Sequence, residues 1–428
     1  MKQHRILIAI FAVLSAHLIF IPSAHAAPCV SGKSTFTGNG SIGLSNVVYT
    51  VESFTAVVAG CTWTVPAGVV KVDALIIGGG GGGGVWVASG GGAGGMIDTS
   101  SLTVTPNSSI SITVGGGGTG GFLNPANGAL TNAIIGGDSS FNGIVATGGG
   151  RGGSWNNAAG NGGSGGGGTG STTNGTTVNS NYGNNGGLGI YAGNSTYSYP
   201  AGGGGGAGAV GGDVVLNIGV SGTSGSGGAG KASTIIGSSV TYAGGGGGGC
   251  HGNSSYPCIN GSGGSSIGGS GDGYVIGTRQ NTVGGNGAIN TGSGGGGAGG
   301  PNNPAYSGSF TGGNGGSGVV IVRYVSNLIL NPALGSGRVN ATTATYRAAT
   351  AFTINAPVNG KATFYERNKV ISTCKNKTAV AGGSITCTWK PSVRGKVSLR
   401  VDYYQTGSSA LLERSNFDVW VNNRTGSR

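Results

Sequence analysis

The chain has 428 residues, of which 101 are glycine and only 12 proline, and it carries 7 % charged residues with a formal net charge of +12. Glycine at more than three times its usual share of about 7 %, without the proline and strict three-residue period of collagen, excludes a triple helix, and so little charge excludes the highly charged kind of disorder. Glycine runs are tolerable where backbones approach closely or where no Cβ fits, so the composition points to a backbone-packed scaffold.

In chain order, Lys2 and Arg5 precede an apolar run over residues 6–21 and the small-x-small triplet Ala24-His25-Ala26. This is the pattern of a secretory signal peptide over residues 1–26, cut before Ala27. No later stretch holds eighteen apolar residues and no lipid-anchor signal follows, so a secreted or surface-held protein without a transmembrane segment is expected.

Residues 47–58 are rich in β-branched and aromatic side chains with partial alternation, the signature of one or two strands. Residues 61–68 read as a strand ending in a Pro-x-Gly turn, and residues 71–77 as a strand with Val72, Ala74 and Ile76 on one face. That strand runs straight into seven glycines, residues 78–84. Further short strands are expected at 94–99, 109–114, 133–135, 144–147, 233–242, 274–276 and 318–325, with no amphipathic helix of useful length after residue 26. Residues 148–318 are the low-complexity body, open to two readings: flexible linker, or polyglycine in the extended three-residue-per-turn helix packed side by side. Short apolar segments between the glycine blocks, such as Val214-Val215-Leu216 and Ile235-Ile236, favour order.

The six cysteines fall at 29, 61, 250, 258, 374 and 387, and an even count in an exported chain favours disulfides over metal chemistry. Sequence proximity favours Cys29–Cys61, Cys250–Cys258 and Cys374–Cys387 among the possible pairings. After signal cleavage one histidine survives, His251, and no Cys-x-x-Cys occurs, so neither zinc nor another cofactor is expected. Charge is unevenly placed. Residues 27–325 hold six basic and six acidic residues, whereas residues 326–428 hold fourteen basic against four acidic. A localised cationic module suits an anionic partner such as a cell-surface polysaccharide or another envelope polymer; it also suits a merely solvated basic face.

The combination of Cys61-Thr-Trp-Thr-Val-Pro-Ala-Gly68, Val72-Asp-Ala-Leu-Ile-Ile-Gly-Gly-Gly80, Leu102-Thr-Val-Thr-Pro106 and Gly318-Val-Val-Ile-Val-Arg-Tyr324 resembles the glycine-rich domain of bacterial secreted and surface proteins, over roughly residues 45–325. The resemblance implies a β-sandwich closed by its first and last strands, with polyglycine segments bundled outside it. Beyond residue 325 glycine falls and charge rises. There Asn359-Gly360 looks like a hairpin turn entering a strand, and residues 384–389 and 395–404 read as strands. This stretch resembles a bacterial immunoglobulin-like repeat, although its two cysteines are thirteen apart and Trp389 follows the second. The expected architecture is all-β: a signal peptide at 1–26, a glycine-rich β domain at 27–325 and an immunoglobulin-like β-sandwich at 326–428.

Catalytic constellations are thin. Asp98, Asp138, Asp213 and Asp272 are scattered singly through the glycine body, and Gly225 to Lys231 imitates a phosphate loop but continues with Ala232, where a serine or threonine would hold magnesium. An enzyme is not expected. Two places have the makeup of recognition surfaces: the Asn, Ser, Thr, Gly and Tyr-rich stretch with Tyr182, Tyr191, Tyr197 and Tyr199, and the loop between Cys250 and Cys258 presenting His251 and Tyr256. Each can equally be plain loop structure. Trp86 is read as a plug on the sandwich, and Trp63, Trp389 and Trp420 as core. The function expected is surface-associated binding or adhesion by loops on a glycine-rich scaffold, with no nucleic-acid partner. The rivals are a structural matrix component without a discrete ligand and, less favoured, an extracellular hydrolase.

Overall fold

The computed structural model describes residues 27–38, 47–66, 69–124, 126–155, 157–170, 173–190, 198–217, 221–252, 258–275, 281–300, 310–325, 330–331, 343–355, 359–380, 384–405 and 411–422. The described residues are all-β; their helical content is two single 3-10 turns, Gly264–Ser266 and Ser372–Cys374, and no helix is long and apolar enough to cross a membrane. Residues 1–26, expected as a signal peptide, lie outside them.

Two sheets form the first sandwich. One runs Gly32–Gly38, Val47–Phe54, Val319–Val325, Lys71–Ile77, Met96–Thr103; the other runs Ile144–Ala146, Ser139–Phe141, Ser109–Val114, Val58–Thr64. Val72, Ala74 and Ile76 do share a face, packed with Phe54, Trp63, Ile112, Phe141 and Val322 between the sheets. Leu75 and Ile77, on the opposite face, are equally buried, because the hairpin of Lys231–Ser233 and Val240–Tyr242 brings Ile235 and Tyr242 over that side. A strand covered on both faces reads as a continuous apolar run rather than an alternation, which is why residues 72–77 are all buried. Within this sheet Arg323 grips the carboxylate of its cross-strand partner Asp73 through Nε and an Nη at 3.0 and 2.7 Å. Nearby, buried Glu52 accepts from the Tyr324 hydroxyl at 2.7 Å and Ser31 Oγ at 2.9 Å, and pairs with Lys33.

Several of these strands do not end where their pairing ends. Lys71–Ile77 continues into residues 78–84, Ser109–Val114 into 115–121, Ile144–Ala146 into 147–153 and Val240–Tyr242 into 243–249; residues 88–95 lead into Met96–Thr103, and 312–318 into Val319–Val325. Along 78–84 the hydrogen bonds change from period two to period three. The N–H groups of Gly78, Gly81 and Gly84 donate to the carbonyls of Gly95, Gly92 and Ser89; those of Gly79 and Gly82 to Gly137 and Ile134; those of Gly80 and Gly83 to Gly316 and Gly313. The carbonyls in turn accept from Gly118 and Gly121, from Gly149 and Gly152, and from Gly295 and Ala298, with all thirteen bonds between 2.8 and 3.1 Å. The segment therefore donates to three antiparallel neighbours and accepts from three parallel ones. A three-residue-per-turn extended helix has no internal hydrogen bonds, so burying it demands this complete external pairing. Residues 89–95 keep the period of three, with one parallel neighbour among those they donate to: Ser89, Gly92 and Gly95 donate to Gly153, Gly150 and Thr147, Gly90 and Ala93 to the parallel Gly202 and Gly205, and Gly91 and Gly94 to Gly295 and Gly292.

Glycine is required here by distance. A Cβ placed on Gly82 would overlap the Thr119 carbonyl and one on Gly83 the Gly296 carbonyl, far inside the 3.0 Å that real Cβ atoms respect. Residues 133–135, expected as a strand, are instead one of these extended segments: the Ile134 carbonyl accepts from Gly82, and the side chains of Ile134 and Ile135 are 54 % and 52 % exposed.

The second sandwich lies C-terminal to residue 325. Its sheets are Leu330–Asn331, Thr350–Asn355, Ser384–Trp389, and Thr343–Thr345, Leu411–Asn422, Gly395–Gln405, Gly360–Glu366, Lys369–Val370, with Lys377–Ala379 also paired to Gly360–Glu366. Phe352, Ile354, Phe364, Trp389, Leu399 and Val401 fill the space between. Two expectations are corrected here. Asn359-Gly360 does enter a strand, but not a hairpin: the preceding strand Thr350–Asn355 pairs with Ser384–Trp389 in the other sheet. Trp420 is 56 % exposed, because Val419 and Val421 take the inward positions and strand alternation turns the residue between them outward. Trp63 and Trp389 are core, and all three disulfides join the sequence-proximal cysteines.

Candidate functional site

The extended segments share an axis, and their register fixes two ends. At the sandwich end Gly78 bonds Gly95, Gly94 bonds Gly292 and Gly95 bonds Thr147. At the other end Val85 N donates to Ser154 Oγ at 3.1 Å, Ala298 N to the Gly84 carbonyl, Gly121 N to Gly83 and Gly249 N to Ala88. Here, away from the sandwich, the extended helices open into short ladders. Tyr199–Pro200, Cys250–Gly252 and Gly273–Val275 form one; Val215–Asn217, Ser221–Thr223 and Cys258–Ile259 a second; Thr282–Val283, Phe310–Thr311, Phe122–Leu123 and Leu130–Thr131 a third.

An aromatic row crosses this distal end. Trp86 stacks on Trp155 with centroids 5.8 Å apart, Trp155 meets Tyr199 edge-on at 6.0 Å, and Tyr199 meets His251 edge-on at 5.8 Å. Trp86 has φ +84°, a backbone conformation costly for a bulky residue, at the point where Val85–Trp86 switches from extended helix to parallel pairing with Ala298–Gly299. Both tryptophans are half-buried, while Tyr199 is 7 % and His251 0 % exposed. His251 Nδ1 bonds the Gly300 carbonyl, and burial holds its pKa below the ordinary value.

The structure therefore separates the candidate residues. Tyr199 and His251 come together as the buried end of the aromatic row, so neither side chain is presented at the surface as the loop reading expected. Tyr182, 37 % exposed, lies at the opposite end: its carbonyl accepts from Met96 N, beside the sandwich. Tyr191, Tyr197 and Tyr256 lie outside the described residues, while the Cys250–Cys258 bridge ties both ends of the loop that bears Tyr256. Trp86 covers the bundle end rather than the sandwich. Trp155 escapes sequence reading, yet a signal existed: like Trp86 it stands two residues past a glycine block, and Gly84 and Gly153 are lateral neighbours.

The four scattered aspartates are all engaged. Asp98 accepts from Ser233 Oγ, Asp138 from Gly148 N, Asp213 from Leu188 N, and Asp272 from Gly273 N and Val283 N, at 2.7–2.9 Å. The last three cap backbone N–H groups where the glycine segments begin or turn. The model of a glycine-rich domain family matches residues 55–325. The chain belongs to that glycine-rich domain family. No curated protein matches the chain. Within the matched region lie the closing strand of the sandwich, the whole glycine bundle and its distal loops.

Proposed function

We propose that this is a secreted bacterial binding protein of the cell surface, in which the glycine bundle is a rigid stalk presenting recognition loops at its distal end. The observation that carries this reading is the gathering of three short ladders and the half-buried Trp86–Trp155 pair at the end of the bundle away from the sandwich. Rigid aromatic groups amid small polar residues are the makeup of adaptable binding surfaces, and a scaffold whose backbone is fully paired holds them in place at little entropic cost. The signal-peptide pattern and three disulfides accord with export to an oxidising compartment. The C-terminal two-sheet sandwich, read as an immunoglobulin-like domain, spaces or attaches the stalk. The engagement of all four aspartates in holding the scaffold fits a non-catalytic role.

The test is titration of the full chain onto intact bacterial cells and a polysaccharide panel, with the Trp155→Ala variant in parallel. The reading expects saturable binding that weakens by about ten-fold or more in the variant, as for a central aromatic contact. Equal binding by both proteins, or self-association without saturation, would return the glycine domain to a purely structural role.

A further inference from the structure

The second sandwich carries its charge in a way that its acidic residues do not cancel. Asp402 is buried and taken up by Arg414 at 2.7 and 3.0 Å and by Arg400. Glu366 accepts from Trp389 Nε1 at 3.0 Å and Ser392 Oγ at 3.3 Å, and Asp418 is held by Lys396 and Ser398. Lys361, Lys369, Lys375 and Lys390 form no ion pair among the described residues. These four line two adjoining clefts. One, of about 260 Å³, is bounded by Lys361, Thr363, Tyr365, Lys375, Asn376 and Tyr404. The other, of about 510 Å³, has Lys369 and Lys390 on its walls with Ser372 and Thr373 between, and is also lined by Glu366, whose carboxylate is held by Trp389 and Ser392. Val370, 43 % exposed, is common to both, so the clefts adjoin there as a divided groove at the edge of the sheet.

The smaller cleft is built. Lys361 lies directly opposite Tyr404, and Tyr365 opposite Arg400, across the paired strands. Arg400 lies over the Tyr365 ring at 3.9 Å and is anchored to Asn368 at 2.8 Å. Tyr404 is hydrogen-bonded to Tyr365, and Asn376 is fixed to Thr363 through its N–H at 3.1 Å and its Oδ1 at 3.3 Å. Ammonium groups thus stand beside the Tyr404 hydroxyl and the Asn376 amide.

We infer that this groove binds an acidic polysaccharide, its carboxylate or sulfate groups taken by the lysines and its sugar hydroxyls by Tyr404 and Asn376, with successive units occupying the two clefts. A linear polyanion suits two small clefts sharing a wall better than one compact ligand does. A nucleic acid suits them less: the guanidinium forks of Arg414 and Arg400 are spent on Asp402 and Asn368, and one face of Tyr365 is covered by Arg400. The inference deepens the attachment role proposed for this domain and is independent of the distal loops.

The experiment measures binding of the full chain to polygalacturonate, neutral dextran and duplex DNA at low and physiological salt. Lys361→Gln with Lys375→Gln should weaken polygalacturonate binding by about ten-fold, and Tyr404→Phe by about three-fold, as loss of charged and neutral hydrogen bonds does. A charge-matched control, Lys396→Gln with Arg347→Gln, should change it less than about two-fold. Equal losses from the groove and control pairs, tighter binding of DNA, or no binding of polygalacturonate would overturn the proposal. Loss of cell binding only in Trp155→Ala, with the groove variants intact, would overturn the groove while sparing the loops.

Discussion

The glycine bundle and the C-terminal sandwich bury their chains by opposite means. In the sandwich the backbone pairs within sheets and side chains such as Ile354, Phe364 and Trp389 fill the interior. In the bundle the interior is backbone, so side chains are what must be excluded, and each N–H and C=O of residues 79–84 reaches a different neighbouring segment in turn. A sandwich core tolerates shape changes within limits of volume. The bundle has no volume to adjust, because its carbonyl oxygens occupy the place of a Cβ. Its cohesion comes from many hydrogen bonds worth about 0.5–1.5 kcal/mol each net, with weak Cα–H···O contacts added.

The sharpest way to break this comparison is a single methyl group. Gly82→Ala should cost more than about 4 kcal/mol, because the Cβ meets backbone on a neighbour that is itself fixed by the bundle. Gly116→Ala is the control: its Cβ would meet only Val57 Cγ1, at 3.5 Å, and denaturant unfolding should shift by less than about 1 kcal/mol. The reverse experiment removes side chains. Ile354→Ala in the fully buried sandwich core should cost about 2–5 kcal/mol, whereas Ala88→Gly in the bundle should cost about 1 kcal/mol or less.

A smaller effect sharpens the account of the first sandwich. Tyr324→Phe removes the hydroxyl that donates to buried Glu52 and should destabilise by about 1–3 kcal/mol in thermal unfolding, while Ser31 and Lys33 still hold the carboxylate. The smallest concerns pH. His251 is kept neutral by burial, so below its ordinary pKa the unfolded chain binds a proton that the folded chain refuses. Stability should therefore be full above about pH 6.5 and fall as pH drops below it toward the depressed folded value. Thermal unfolding between about pH 7 and 5 should show this slope, and His251→Asn should flatten it.

Much of the fold is legible in the sequence because local patterns carry it. The apolar run Lys71–Ile77, the closing strand Val319–Val325 and the cysteine pairings all follow from neighbours in the chain. What fails depends on where segments lie in three dimensions. Ile134 and Ile135 look like strand because β-branched residues do, but Ile134 is held by its place beside Gly82. Tyr182 and Tyr199 are close in sequence and similar in surroundings, yet the chain traverses the bundle between them and leaves them at opposite ends. Trp420 is the converse case: a large apolar residue invites a core assignment, while its two valine neighbours already fill the inward sites. Of the candidate site, the aromatic makeup of the loops is readable from composition; the pairing of Trp86 with Trp155 follows only from the lateral contact of two glycine blocks.

The central claim is that every amide of residues 78–84 is paired within a bundle of six surrounding segments, and amide hydrogen exchange of the full chain tests it most directly. All seven glycine amides should exchange as slowly as those of Lys71–Ile77, since each donates to a carbonyl in the interior. Exchange of these amides at the rate of an unstructured glycine chain, with Lys71–Ile77 still protected, would contradict the bundle.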